Sequence, residues 1–146
     1  MDKGTLYLSY YGNYRNFPKE FVLVPVSRTL PREMDYDYYA RDLAPSEELK
    51  NAYKYEGLGW EEFSLRFIKE LDSRDGVDRD VSVIEKFLDE GKDVCLLCYE
   101  KEGNCHRYIL GELFKGNYKV FNLIGNKKEI LKEWWKVWKE NLFVVY

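Results

Sequence analysis

The sequence predicts an α/β fold: a single-domain, layered, Rossmann-like arrangement of a mostly parallel sheet flanked by helices. Three observations predict it. Residues 20–27 and 93–98 are nearly continuous apolar runs of strand length, as in strands covered on both faces. Segments with apolar residues at helical spacing separate the strands. The connections are long enough for the right-handed crossovers that join parallel strands. A length of 146 residues suits one domain over 1–146, large enough to bury a core without staples.

The elements follow in chain order. Residues 5–11 alternate and are rich in Tyr and Leu, predicting a strand that Gly12 and Asn13 break. Residues 20–27 predict a second strand, and Pro25, lacking a backbone donor, puts it near an edge or at a bulge. Residues 28–45 predict a long ordered loop with Tyr36, Tyr38 and Tyr39 as packing handles. Ser46 is placed to cap a helix running to about Tyr55, with Glu47 and Glu48 in its first turn. Gly57 and Gly59 end it. Phe63, Phe67, Ile68 and Leu71 mark a helix over 60–71. A polar connection is expected over 73–80. Val81, Ile84, Phe87 and Leu88 mark a third helix that stops at Gly91. Residues 93–98 read as the clearest buried strand. A fourth helix starts at Cys105 or His106 and runs to about Lys115, ended by Gly116. Residues 118–124 predict a strand. Asn126 and Glu129 have capping-box spacing and open a last helix carrying Ile130, Leu131, Trp134, Trp135 and Trp138. Residues 142–146 predict a terminal edge strand.

Composition narrows the partners. The net charge of −3 lacks the basic excess by which nucleic-acid binders neutralise phosphate, so nucleic acid is not the default ligand. No apolar stretch is long enough to cross a membrane, and no membrane partner is expected. No signal peptide precedes the first strand, and the three cysteines are an odd number. They read as reduced thiols in a cytoplasmic protein.

The chemistry concentrates in residues 98–107. Open parallel sheets bind ligands outside the carboxyl ends of their strands, and Cys98 ends one. Gly103 and Asn104 are placed to take left-handed conformations in the loop that follows. The chain then enters a helix with His106 and Arg107 in its first turn, where free N–H groups favour an anion. Arg107 adds a fork for carboxylate or phosphate. A thiol there can have its pKa lowered.

Each residue has a second use. Cys98 also fits an ordinary buried thiol, and Cys95 fits core filler. Cys105 is expected to cap the helix, with redox partnership to Cys98 as the alternative. His106 either tunes proton transfer or is a hydrogen-bonded structural residue. Arg107 could pair with Glu100 or Glu102 instead of a ligand. Cys98, Cys105 and His106 match no common zinc spacing, so no metal is expected. Neither a phosphate loop, a dinucleotide fingerprint nor a nucleophile elbow occurs, and nothing calls for a cofactor.

Leu96-Leu-Cys98-Tyr-Glu100-Lys101, followed by Cys105-His106-Arg107 and an amphipathic helix, resembles the signature of the family called domain of unknown function 488. Leu6-Tyr-Leu-Ser9-Tyr10-Tyr11 is similar to that family's opening strand. Val26-Ser27-Arg28-Thr-Leu-Pro31 stands where its members have Val-Arg or Ser-Arg before a proline, and Leu43-Ala-Pro45-Ser46 resembles the motif before its first helix. The resemblance runs to about residue 115. It implies a shared α/β fold and a site drawn from Ser9, Ser27, Arg28, Cys98, Glu100, Cys105, His106 and Arg107. It implies no reaction, because the family has no assigned activity. Arg28 and Cys98 would both follow strands, a layout similar to rhodaneses and cysteine phosphatases, although here the Cys-to-Arg loop is longer and holds two Glu residues.

Three functions stand open on the sequence. The first is a small enzyme acting on an anionic or nucleotide-like substrate. Its catalytic residues would be Cys98, Glu100 and His106, and its substrate-binding residues Ser9, Ser27, Arg28, Cys105 and Arg107. The second is a non-catalytic module that holds a nucleotide or nucleic-acid end, with Tyr10, Tyr11, Tyr36 or Tyr38 as stacking faces. The third is an interaction protein whose stripe Ile130, Trp134 and Trp138 docks a partner or a second copy as a homo-oligomer, although the same stripe fits core packing better.

Overall fold

The computed structural model describes residues 2–144, with side chains described to residue 137. Four strands form one sheet in the order β2-β3-β1-β4: β1 (Leu6–Tyr10), β2 (Val22–Pro25), β3 (Val94–Cys98) and β4 (Val120–Asn122). All pairings are parallel, so the carboxyl ends of the strands share one edge. Five helices flank them: α1 (Glu47–Tyr55), α2 (Trp60–Ser73), α3 (Gly76–Asp89), α4 (His106–Phe114) and α5 (Lys127–Val144). The predicted layered α/β fold is the observed one. Among the described residues, no helix is long and apolar enough to cross a membrane.

Strand pleating divides the core in two, because successive side chains point to opposite faces. Leu6, Leu8, Val22, Val24, Val94, Leu96 and Cys98 join the larger cluster, with Phe67 of α2, Ile84 of α3 and Leu110 of α4. Tyr7, Cys95 and Leu97 face the other way and pack with Phe21, Leu123 and Ile130. Each fully buried Leu or Phe contributes about 1.5–3 kcal/mol through lost apolar exposure. The same parity puts Cys98 on the α4 side and leaves Cys95 as core filler.

Local signals account for most boundaries. Pro25 ends an edge strand, as its missing donor requires. Ser46 Oγ accepts from the Leu49 N–H at 3.1 Å and starts α1. Gly91 takes φ +84° after α3. Asn126 Oδ1 accepts from the Glu129 N–H at 2.9 Å and starts α5. The 28–45 segment is an ordered loop with one 3-10 turn, Arg41–Leu43. Tyr38 donates to Asp80, and the Tyr39 hydroxyl donates to the Ser27 carbonyl at 2.7 Å.

Three expectations need correction. The polar stretch 73–80 is not a connection, because α3 begins at Gly76 and buries Asp80 as the acceptor for Tyr38 and the Asp42 N–H. The strand predicted over 118–124 shortens to β4, with Tyr118 packed against Phe114 instead. Residues 142–144 continue α5 and form no strand, while 145–146 lie outside the described residues. In the C-terminal stripe, Ile130 is buried. Trp134 stacks edge-on to Phe21 and donates to Asp93 Oδ2 at 3.2 Å. These two residues serve the core; the Trp138 side chain lies outside those described.

Gly4 has a spatial requirement. A Cβ there would lie 1.7 Å from the Lys92 carbonyl oxygen, a backbone atom that cannot rotate aside. Gly4→Ala should therefore lower the free energy of unfolding by about 1–3 kcal/mol, as overpacking does, read as an earlier urea midpoint. An unchanged midpoint would show that the chain is not seated against Lys92.

Candidate active site

The sheet's carboxyl edge is where the chemistry gathers. β3 delivers Cys98 there, fully buried. Gly103, at φ +77°, turns the loop; Asn104, against expectation, is not left-handed. Asn104 instead donates to the Tyr53 hydroxyl at 3.4 Å. Cys105 stands at the N-cap position of α4, but its side chain caps nothing. Its sulfur turns toward β3 and lies 2.7 Å from Cys98 Sγ. That separation is well inside ordinary non-bonded contact but longer than the 2.03–2.05 Å of a disulfide, and either sulfur can donate to the other.

Arg107 adds its charge on the Cys98 side of the pair. It is fully buried, and its Nη1 donates to Cys98 Sγ at 2.9 Å. Nη1 also donates to the Glu100 carbonyl, and Nη2 donates to the Lys101 carbonyl at 3.0 Å and the Tyr108 hydroxyl at 2.9 Å. The guanidinium thus folds the 98–101 backbone around itself and does not pair with the carboxylate of Glu100 or Glu102. The Cys105 S–H bond, more than any other favourable contact, lowers the Cys98 thiol below its ordinary range; burial opposes this and the Arg107 charge adds to it. Burial and the neighbouring Cys98 push the Cys105 thiol up. Burial works against the Arg107 charge, but the two sulfurs hold its proton more firmly than usual. Both directions favour Cys98 as the sulfur that ionises first and Cys105 as the one that keeps its proton.

His106 and Glu100 complete the surroundings of Cys105. His106 Nε2 lies 2.7 Å from the Val26 carbonyl, which can only accept, so Nε2 carries the proton. Nδ1 is then a free acceptor, 3.7 Å from Cys105 Sγ. Burial lowers the His106 pKa, which keeps the ring neutral. Phe67 meets it edge-on. Glu100 Oε2 lies 3.6 Å from Cys105 Sγ. The Cys105 proton therefore has three acceptors around it: a thiolate, an imidazole nitrogen and a carboxylate.

A cavity of about 300 Å³ opens above these groups. Glu100, Cys105 and His106 lie at its floor. Its walls include the rings of Tyr53, Trp60, Phe63 and Tyr99, and the cations of Arg28, Arg41, Lys50 and Lys54. Ser27 also reaches it, but the Ser27 hydroxyl donates to the Thr29 carbonyl at 2.6 Å and accepts from Tyr11. Ser27 thus holds the turn that presents Arg28. Tyr99 ties the two rims together, its hydroxyl 3.2 Å from Thr29 Oγ1.

The structure brings together Ser27, Arg28, Glu100, Cys105 and His106 around the cavity. Cys98 and Arg107 stand behind the floor: they are near the site but do not line it. Ser9 is elsewhere. Its parity puts it beside Leu97 on the opposite face of the sheet, where its hydroxyl donates to the Leu123 carbonyl. The predicted stacking faces Tyr10, Tyr11, Tyr36 and Tyr38 do not line the cavity. Tyr11 and Tyr38 are spent on Ser27 and Asp80. The rings and lysines of α1 and α2 went unnoticed in the sequence because their spacing reads as helix packing. The signal that could have found them is α1 itself, a helix with only Leu49 fully buried and two lysines and two tyrosines to place.

Cys98, Glu100 and Cys105 offer three donor atoms within 4.8 Å of one another. Two thiolates on one tetrahedral zinc stand about 3.8 Å apart, from Zn–S bonds near 2.3 Å. Here they are 2.7 Å apart, and Arg107 holds the position beside Cys98 that a cation would need. The set as arranged fits a shared proton better than an ion.

Searches of curated proteins and of solved structures returned no match. The family model described as the active DUF488-N3 subclade matches residues 6–118, which takes in β1, β2, β3 and every residue of the floor and stops short of β4. The chain belongs to the family of domain of unknown function 488.

Proposed function

We propose that the protein is a small enzyme whose substrate is anionic and ring-bearing, in the manner of a nucleotide, and that catalysis uses the sulfur pair with Glu100. One observation carries this reading: a protonated sulfur with three acceptors lies at the floor of a cavity walled by aromatic rings and cations. The rings suit a base, and the cations of Arg28, Arg41, Lys50 and Lys54 suit a phosphate or carboxylate. Cys105 would be the attacking atom, its proton passing to Cys98 at 2.7 Å, with Arg107 neutralising the charge before transfer. Glu100 would serve as acid and base for the leaving group and the returning water. His106 would accept from Cys105 and orient it. Sequence reasoning favoured Cys98 as nucleophile; the cavity favours Cys105, with Cys98 as its base. The subclade's description as active supports a catalytic reading.

The acidic net charge favours a small ligand over a nucleic acid. Unpaired cysteines support a reducing, cytoplasmic location.

The test is a panel of ribonucleoside mono-, di- and triphosphates, with Trp fluorescence as readout. The fluorescence response should be lost in Trp60→Ala, and the affinity should fall roughly ten- to a hundredfold in Arg28→Ala, the loss of one charge-assisted contact at about 1.5–3 kcal/mol. Cys105→Ala should keep the affinity and abolish turnover of any nucleotide consumed by the native chain. No response across the panel at millimolar concentration would sink the substrate class. Binding without turnover in every variant would leave a non-catalytic nucleotide module, which the same cavity also fits.

A further inference from the structure

We infer that Cys98 and Cys105 form a dithiol–disulfide couple that exchanges with small disulfides entering through the cavity. The inference uses the same floor as the proposed catalysis but does not depend on a nucleotide.

The sulfurs come from opposite sides of a six-residue loop and stand 2.7 Å apart. Closing to a bond of about 2.05 Å needs a shift of roughly 0.65 Å, within reach of one side-chain rotation. Only one sulfur meets the cavity. Cys105 lines it, while Cys98 is fully buried behind Cys105 and held by Arg107. This division of labour is that of an attacking and a resolving thiol. Cys95, the third thiol, is on the opposite face of the sheet and takes no part.

The steps balance. Cys105 Sγ attacks one sulfur of a small disulfide RSSR as its proton passes to the Cys98 thiolate. A Cys105–S–S–R bond forms, the S–S bond of RSSR breaks, and RS⁻ leaves. The Cys98 thiol then attacks the Cys105 sulfur of the mixed disulfide. A Cys98–Cys105 bond forms, the bond to R breaks, and the Cys98 proton departs on RSH. The protein loses two electrons, RSSR gains them, and no other reactant enters. Oxidation also removes the thiolate that balances the buried Arg107 charge. The reduced form is the one so stabilised, as in strongly oxidising thiol couples. The disulfide should therefore reopen readily with a monothiol.

The experiment treats the reduced full-length chain with bis(2-hydroxyethyl) disulfide and follows intact mass and peptide linkage. The native chain should end lighter by two hydrogens, with residues 98 and 105 linked, Cys95 free and no adduct retained. Excess 2-mercaptoethanol should restore the starting mass. Cys98→Ser should trap one mercaptoethanol adduct on Cys105. Cys105→Ser, with Cys98 still sealed, should take up adduct at least tenfold more slowly. A native chain that keeps an adduct without closing, or that stays reduced, overturns the couple, as does adduct on Cys98 ahead of Cys105. Nucleotide binding is read separately by fluorescence, so either idea can fail alone.

Discussion

Arg107→Ala should cost about 3–5 kcal/mol of folding stability, the range for removing one partner of a buried ionic pair. For a chain of 146 residues this lowers Tm by roughly 10 °C. The side chain is the largest of the fully buried ones, and four of its five N–H donors are in use. Truncation leaves a thiolate, two carbonyls and a hydroxyl without their donor, beside a cavity. Arg107→Lys should recover part of the loss, because an ammonium restores charge but not the planar fork. The deficit should also depend on pH. Cys98 has a folded-state pKa below its ordinary value. The thiolate therefore contributes stability that is fully present above the unfolded thiol pKa of about 8.5. It is lost as pH falls through the lowered folded value. In Arg107→Ala the share of that lowering due to Arg107 is lost while the Cys105 share remains, so the contribution shrinks. The gap between native and variant should widen from pH 6 to pH 9, read from urea midpoints. A gap below 1 kcal/mol, or one constant across that range, would show that Arg107 does not hold a thiolate.

The sheet and most helices were legible because their signals are local. The run 93–98 has a single apolar reading, and Ser46, Gly91 and Asn126 act on atoms within a turn of themselves. The sheet edge was legible for the same reason: Cys98 and Arg28 each follow an apolar run, and parallel strands end together. What escaped was sidedness. The parity of β1 sends Ser9 to the α5 face, and no motif match reveals that when the strand's exact start is uncertain. Arg107 was read as a ligand for substrate because a guanidinium at a helix start suggests an anion site. That it turns inward to the 98–101 carbonyls depends on the loop's path, which Gly103 permits but does not dictate. The cations and rings from α1 and α2 were invisible as a group, since their meeting with the 99–105 loop is a long-range contact. Asp80 was lost to the same cause: a carboxylate in a polar stretch looks like surface until Tyr38, forty-two residues earlier, donates to it.

The order of the two sulfurs leads to the second large effect. Iodoacetamide should label Cys105 first in the native chain, because it alone of the pair lines the cavity. The labelling rate should follow the ionisation of the pair as a unit, since two thiols in contact titrate jointly. Three groups face that pair: Arg107 and His106 from α4 and Glu100 from the loop. His106 is kept neutral by burial, so its contribution does not change sign with pH. Arg107 stays charged. The pair should therefore lose its first proton below the ordinary thiol range, the direction set by the Cys105 S–H bond and by Arg107. Cys98→Ala removes the thiolate that accepts the Cys105 proton. Cys105 is then a single buried thiol, and burial, the largest influence on it, disfavours its ionised form. An isolated thiol of ordinary pKa is only about 3% ionised at pH 7, and a desolvated one less. The labelling rate of Cys105 at pH 7 should fall at least about tenfold in Cys98→Ala, and its pH midpoint should move up. Nucleotide affinity, which rests on the walls and not on Cys98, should remain. An unchanged labelling rate would mean that Cys105 ionises without help from the sulfur behind it, and the base in any chemistry at this floor would then have to be Glu100.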